Sequence, residues 1–215
     1  MMILILSLVI GCVWGYVLKH AINWLNIDEF QLATSNPVLE IICSLFFVWS
    51  FNTLSFVDAI IFFLISSTLC AIAIVDIFTM QIPLLFILDS LFVLLVSILL
   101  GYITWSSALW GIFVGAIIPA IIMVLTGLVT KRQGMGYGDI QLGIILGAWL
   151  GPLRMALTLF SASLLSLLTW VVISFFKGVD TNRALPFAPF LSVSGIGLYV
   201  VSFYYPELFQ LALLG

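Results

Sequence analysis

The chain has 215 residues, of which 64% are hydrophobic and only 7% are charged. Soluble domains contain about 45–50% apolar residues, so this composition excludes an ordinary soluble protein. The formal net charge is -3 and the sequence contains no basic patch, which excludes nucleic acid as a partner.

Apolar runs of about 18 or more residues recur along the whole chain, as is typical of transmembrane helices. We predict an all-α, polytopic transmembrane helical bundle of about eight spans, forming a single domain over residues 1–215. The first segment lacks a basic start and a small-x-small cleavage site, so we interpret it as a span rather than a cleaved signal peptide. The predicted spans are 2–25, 37–54, 56–75, 83–103, 106–129, 139–151, 153–176 and 186–205.

The sixth predicted span is short and rich in glycine, which is typical of a partial or tilted span. Gly143 and Gly147 have the G-x-x-x-G spacing that allows two membrane helices to approach closely. We therefore expect tight helix packing at this pair.

Six basic residues predict the orientation of the chain. If the N-terminus lies outside, five of them fall at or beside inward-facing loops and only Arg154 falls outside, in agreement with the positive-inside rule. The five are Lys19, Lys131, Arg132, Lys177 and Arg183. Eight spans then place the C-terminus outside as well. The same orientation places Asp76, at the end of the third span, and Asp139, at the start of the sixth, at the cytoplasmic face.

Asp139 ends the run Gly-Met-Gly-Tyr-Gly-Asp, in which Gly134, Gly136 and Gly138 alternate with other residues. An ionised carboxylate within a bilayer is costly and is usually retained for function. Alternating glycines allow a close backbone approach and conformations that other residues avoid. An alternative is that Asp139 only caps a helix, because an acid near a helix N-terminus is favoured by the helix dipole.

Other acids of the chain are candidates beside Asp139. Asp76 follows an apolar run and precedes Ile82-Pro83, where the proline can begin the next helix. Asp89 lies about two turns beyond Pro83, and both a structural interhelical hydrogen bond and a role near a site are open for it. Glu40 has either an interfacial position or a contact with Lys19 or His20.

The three cysteines lack C-x-x-C spacing and are interpreted as small buried apolar residues, so no metal site or cofactor is predicted.

Four segments in order resemble the type IV prepilin peptidases, which are Gly-x-Gly-Asp aspartyl proteases of bacterial inner membranes. They are residues 73–76 with Ile82-Pro83, residues 134–139, residues 147–151 and residues 186–191. The resemblance covers most of the chain from about residue 65 onward. It implies an endopeptidase that cuts the basic leader from prepilins or pseudopilins at the cytoplasmic side. It also implies that Asp76 and Asp139 are the catalytic pair and that Gly134, Gly136 and Gly138 keep the backbone beside them accessible.

The chain departs from the family pattern at three places. Many members carry paired Cys-x-x-Cys motifs that bind zinc in a long first cytoplasmic loop, whereas this loop is short and has no cysteine. The resemblance implies that the larger members also methylate the new N-terminus of the product. Because most of that loop is missing here, we expect no N-methyltransferase activity. Leu84 follows Pro83 where the family often has a polar residue, and Gln141 stands where a lysine is common. Pro83, Gln141 and Asp89 are candidate contacts to the substrate or to the catalytic acids.

Two alternatives from other classes remain open. A small transporter or channel would use its intramembrane acids as an ion relay and would depend on Asp89 or Glu40. A non-catalytic assembly component would bind pilin helices through its apolar faces. The peptidase interpretation has a prepilin or pseudopilin precursor and membrane lipid as its partners, and the bacterial inner membrane as its location.

Overall fold

The computed structural model of the chain describes residues 2–130, 136–179 and 185–211. Over these residues the regular secondary structure is helical, which confirms the predicted all-α class. The main helices are α1 (Met2–Leu25), α2 (Val38–Thr53), α3 (Phe56–Thr79), α4 (Leu84–Leu99), α5 (Trp105–Thr130), α6 (Tyr137–Leu150), α7 (Pro152–Lys177) and α8 (Ala188–Tyr204). A short 3₁₀ helix at Ile27–Glu29 and a final helix α9 (Pro206–Leu211) are not predicted by the sequence pattern.

The helices α1 to α8 lie at the positions of the eight predicted spans. Within the described residues, four segments are long and apolar enough to cross a membrane: Ile5–Leu25, Phe56–Thr79, Trp105–Val129 and Pro152–Lys177. Helices α2, α4 and α8 are apolar but shorter. A helix of 16 residues, such as α2, is about 24 Å long and falls short of the roughly 30 Å hydrocarbon core. The fold is a polytopic helical membrane bundle, and the outside location of both termini stays a prediction.

The largest differences from the predicted bounds are at two helix ends. Helix α3 continues past residue 75 to Thr79, which places Asp76 inside the helix rather than after it. Helix α4 ends at Leu99 rather than at residue 103, because Gly101 adopts a φ of 82° and the chain turns there. The N–H of Tyr102 then bonds the carbonyl of Ser97 at 2.9 Å, which satisfies one of the free carbonyls at the helix end.

The helices pack in two compact units, Met1–Tyr102 and Ile103–Gly215. The first contains α1 to α4 and the second contains α5 to α9. Organisation of the chain as one domain stays a prediction.

Helix α3 forms the centre of the first unit, since α1, α2 and α4 all pack against it. Its side chains Ile65, Leu69 and Ile72 are fully buried, at a spacing that places them on one helical face. The helix begins at a Ser55 cap, whose hydroxyl accepts the Asp58 N–H at 3.4 Å and donates to the Asp58 carboxylate at 2.7 Å. The cap satisfies one backbone N–H at the start of the span.

A buried ion pair joins α1 to α2. Lys19 pairs with Glu40, and their side chains are only 5% and 11% exposed. Gly15 lies directly against the Glu40 backbone, where a Cβ would overlap it, so the two helices approach closely here. Of the two contacts that the sequence left open for Glu40, the structure shows the one with Lys19. An isolated buried charge is costly, so each residue stabilises the other inside the unit.

Glycines set the contact between α5 and α6 in the second unit. A Cβ on Gly147 would overlap the Gly111 carbonyl, and a Cβ on Gly143 would overlap the Gly115 carbonyl. Lipid provides no hydrophobic drive for helix association, so close backbone packing of this kind is a main source of affinity. The predicted tight packing at the Gly143 and Gly147 pair is confirmed.

We expect Gly147→Ala to destabilise the protein, because the new methyl group must displace the Gly111 backbone. Overpacking costs about 1–3 kcal/mol, which corresponds to a fall in Tm of about 2–12 °C for a chain of this size. Thermal unfolding of the detergent-purified protein measures it. Gly197→Ala is the matched control, because Gly197 is also inside a helix but has no atom within 4 Å of a built Cβ. Equal Tm values for the two variants would contradict the packing role.

Candidate active site

Asp76 lies in the last turn of α3 and is 5% exposed. Its backbone carbonyl accepts the N–H of Met80 at 2.9 Å. Met80 ends the helix with a φ of 52°, a left-handed conformation that residues other than glycine seldom adopt. The Thr79 hydroxyl donates to the Val75 carbonyl at 2.9 Å. The carboxylate is therefore carried on a regular helical turn that is followed at once by irregular backbone.

Pro83 joins this turn to α4. It immediately precedes the first helical residue, and its carbonyl accepts the N–H groups of Phe86 at 3.1 Å and Ile87 at 3.4 Å. The prediction that the proline begins the next helix is confirmed. A contact between Pro83 and substrate stays a prediction.

Asp89 makes a hydrogen bond between α3 and α4. The Thr68 hydroxyl lies 3.4 Å from the Asp89 carboxylate oxygen to which it donates. Thr68 is buried, whereas Asp89 is exposed on the surface of α4. The structural interpretation of Asp89 is therefore observed, and its role toward substrate stays a prediction.

Asp139 is the third residue of α6 and is partly exposed. Its carboxylate accepts the backbone N–H of Gly136 at 3.1 Å. This satisfies one donor that precedes the helix, as expected of an acid at this position. Since Gly136 has no side chain, the contact is only one half of a reciprocal cap. The capping that the sequence raises as an alternative is thus observed.

Gly136 lies directly beside the Asp139 carboxylate. Its φ of -78° and ψ of 149° are extended values that any residue adopts, so conformational freedom is not required there. A Cβ at this position would lie 3.3 Å from the Asp139 carboxylate. Gly138 is within the first turn of α6 and Gln141 lies one turn further, both partly exposed. Gly134 lies outside the described residues, and the roles of these four residues in the site stay predictions.

The two candidate acids belong to different compact units, Asp76 to the first and Asp139 to the second. Their action as a pair stays a prediction.

Among the described residues, no group of three or more His, Cys, Asp or Glu side chains could hold a metal ion. Cys43 is buried as predicted, whereas Cys12 is exposed on α1, so the prediction that all three cysteines are buried is wrong.

The structure also brings residues to the Asp76 turn that the sequence pattern does not mark. Gln81 donates from its amide to the Asp28 carboxylate at 2.5 Å, and Phe78 stacks on Phe30 with ring centroids 4.9 Å apart. The available signal is weak: the predicted topology places both short loops on the cytoplasmic side. Nothing in the sequence pairs these particular residues.

We expect the capping role of Asp139 to separate from its charge. Asp139→Asn keeps an oxygen that accepts the Gly136 N–H, so its Tm should stay close to that of the wild type. Asp139→Ala removes the acceptor and should cost about 1 kcal/mol, or about 2–4 °C in Tm. Thermal unfolding of both variants in the same detergent measures the difference. A larger loss for Asn than for Ala would contradict the capping geometry.

Comparison with known proteins identifies the chain's relatives. Residues 63–171, a segment that includes Asp76 and Asp139, match the type IV leader peptidase family. The chain is 29% identical over 184 residues to a prepilin leader peptidase/N-methyltransferase of Stutzerimonas stutzeri, covering 81% of this chain and 63% of that protein. It is 28% identical over 169 residues to the Pseudomonas putida protein of the same name, covering 77% and 58%.

A third relative of that name, from Neisseria gonorrhoeae, is 38% identical over 112 residues, which cover 52% of this chain and 34% of the relative. The chain therefore spans less than two thirds of the length of the curated relatives that it matches. No solved structure matches. Because the family match covers just over half of its residues, this chain belongs to the type IV leader peptidase family.

Proposed function

We propose that this protein is an aspartic endopeptidase of the bacterial inner membrane that removes the basic leader from prepilins or pseudopilins at the cytoplasmic face. The observation that carries the proposal is the family match over residues 63–171, which includes both candidate acids. Three relatives named prepilin leader peptidase/N-methyltransferase support the substrate class.

The chemistry requires two carboxyl groups with different protonation states. One carboxylate acts as general base and activates a water molecule, and one carboxylic acid protonates the carbonyl oxygen of the scissile peptide. Two acids that lie close together share one proton and titrate as a unit, so base and acid are roles of the Asp76 and Asp139 pair. Neither metal nor organic cofactor is part of the proposed reaction.

The position of each acid supports this chemistry. Asp76 lies within one turn of the irregular Met80 backbone, and Asp139 lies in the first turn of α6. At membrane depth, irregular backbone is tolerated where it is buried in protein or lines a water-filled cavity. Peptide hydrolysis needs water at such a place. Asp89 and Glu40, the acids that an ion relay would use, are bonded to Thr68 and Lys19 respectively.

We expect Asp76→Asn and Asp139→Asn each to abolish leader cleavage while the protein remains folded in the membrane. Each amide keeps the shape of the side chain but supplies neither a general base nor a shared proton. Loss of an essential acid–base group costs about 10²-fold or more in rate. The assay incubates purified wild type and variants with purified candidate precursors and measures the leader-sized mass loss by mass spectrometry.

Asp58→Asn is the matched control, because Asp58 is on the same helix as Asp76 but at its opposite end. This variant should cleave at the wild-type rate. Full activity of either Asp76→Asn or Asp139→Asn would exclude the proposed pair. Ion transport in liposomes by a wild-type protein that cleaves no precursor would instead support the transporter alternative.

We also expect the mature product to remain unmethylated when S-adenosylmethionine is included. The support is the first inward loop, residues 26–36, which contains no cysteine and is far shorter than the zinc-binding loop that the resemblance implies for many members. Mass spectra of the product N-terminus measure this directly. A gain equal to one methyl group that requires both this protein and the methyl donor would contradict the expectation.

A further inference from the structure

The first loop, residues 26–36, adopts an unusual backbone. Three of its residues, none of them glycine, have positive φ values: Asn26 at 43°, Asp28 at 48° and Glu29 at 61°. Left-handed backbone at such residues persists only where surrounding contacts hold it, and it concentrates at functional sites. The contacts that hold this loop therefore indicate its role.

One set of contacts anchors the loop to its own helices. The Asn23 side-chain amide donates to the Leu32 carbonyl at 3.1 Å and accepts the Leu32 N–H at 2.7 Å. Leu32 is itself buried. Lys19, already paired with Glu40, donates to the Thr34 carbonyl at 3.4 Å. Three hydrogen bonds thus hold the loop against the end of α1.

The other set of contacts reaches the end of α3. The Asp28 carboxylate accepts the Gln81 amide at 2.5 Å. The Phe30 and Phe78 rings stack with centroids 4.9 Å apart and planes 16° from parallel. Gln81 directly follows Met80, the left-handed residue that ends α3. Two conformationally costly segments therefore meet at one hydrogen bond and one ring contact.

These contacts are made by residues that directly follow Asp76 in the chain. Phe78 lies two residues after Asp76, and Gln81 lies five residues after it. The Asp76 carbonyl bonds Met80, so the helical geometry of this last turn depends on where Met80 is held. Helix ends fray unless something outside the helix fixes them.

We infer that the first loop, through Asp28 and Phe30, is a positioning element that holds the last turn of α3 and so fixes the Asp76 carboxylate for catalysis. The inference rests on the proposed peptidase function. Asp28, Phe30, Phe78 and Gln81 are positioning residues, because they act through the Asp76 turn and not on the scissile bond. A small displacement of a catalytic group lowers the rate of the chemical step more than it lowers substrate binding.

The test compares Asp28→Ala, Asp28→Asn and Glu29→Ala in the full chain with a purified precursor. We expect Asp28→Ala to lower kcat about tenfold while KM changes less than about twofold. Asp28→Asn keeps an oxygen for the Gln81 amide and should restore most of kcat. Glu29→Ala is the matched control, since it removes an adjacent exposed acid that also has a positive φ. Its kcat should equal that of the wild type.

A double-mutant cycle isolates the contact itself. Asp28→Ala with Gln81→Ala should be no slower than Asp28→Ala alone, because both single changes break the same hydrogen bond. Hydrogen exchange at backbone amides 77–82 should rise in Asp28→Ala and not in Glu29→Ala. This readout does not require activity, so it tests the contact even if the wild type cleaves no prepilin.

The possible failures are distinguishable. A wild type that cleaves no precursor contradicts the proposed function, and hydrogen exchange still decides whether the loop holds the turn. Unchanged kcat and exchange in Asp28→Ala would overturn the positioning role and leave the peptidase proposal intact. An equal rise in KM for Asp28→Ala and Glu29→Ala, with kcat unchanged, would also overturn it, because that result indicates an acidic surface that binds the leader.

Discussion

The structure depends on one constraint, which is that every backbone N–H and C=O group within a bilayer needs a partner in the protein. Helices satisfy this internally except in their first and last turns. The described helix ends show how the chain meets it: Ser55 caps α3, left-handed Met80 closes it, and Asp139 accepts the N–H that precedes α6. Polar side chains are tolerated at such ends. Asp76 lies in the last turn of α3, and Asp139 lies in the first turn of α6.

Close backbone approach holds the helices together in each unit. In the second unit the Gly111 and Gly147 contact, with its Gly115 and Gly143 counterpart, sets how α6 lies along α5. The start of α6, and with it Asp139, is positioned by this contact. In the first unit Gly15 lets α2 approach α1, and the buried Lys19 and Glu40 pair joins the same helices. Small residues and paired charges thus replace the hydrophobic drive that lipid does not provide.

Part of the candidate site could be predicted from the sequence. The cost of a carboxylate in the bilayer and the charge bias led to Asp76 and Asp139, and the order of the motifs led to the family, which the family match over residues 63–171 confirms. Helix α3 exceeds its predicted end because Asp76 and Thr79 fit a helical turn as well as the apolar residues before them do, so hydropathy underestimates the helix. Gly136 has extended backbone angles, so an unusual φ is not required there, and a Cβ would lie 3.3 Å from the Asp139 carboxylate.

Composition and the lengths of apolar runs were enough to predict a helical membrane bundle and the positions of its helices, because both are local properties of the chain. The pairing of Asp28 with Gln81, 53 residues apart, and the choice of Lys19 rather than His20 for Glu40 required the tertiary structure. Those choices depend on helix rotation and on how closely two backbones approach. Both are set by the packing of many side chains at once, and no short segment of sequence encodes them.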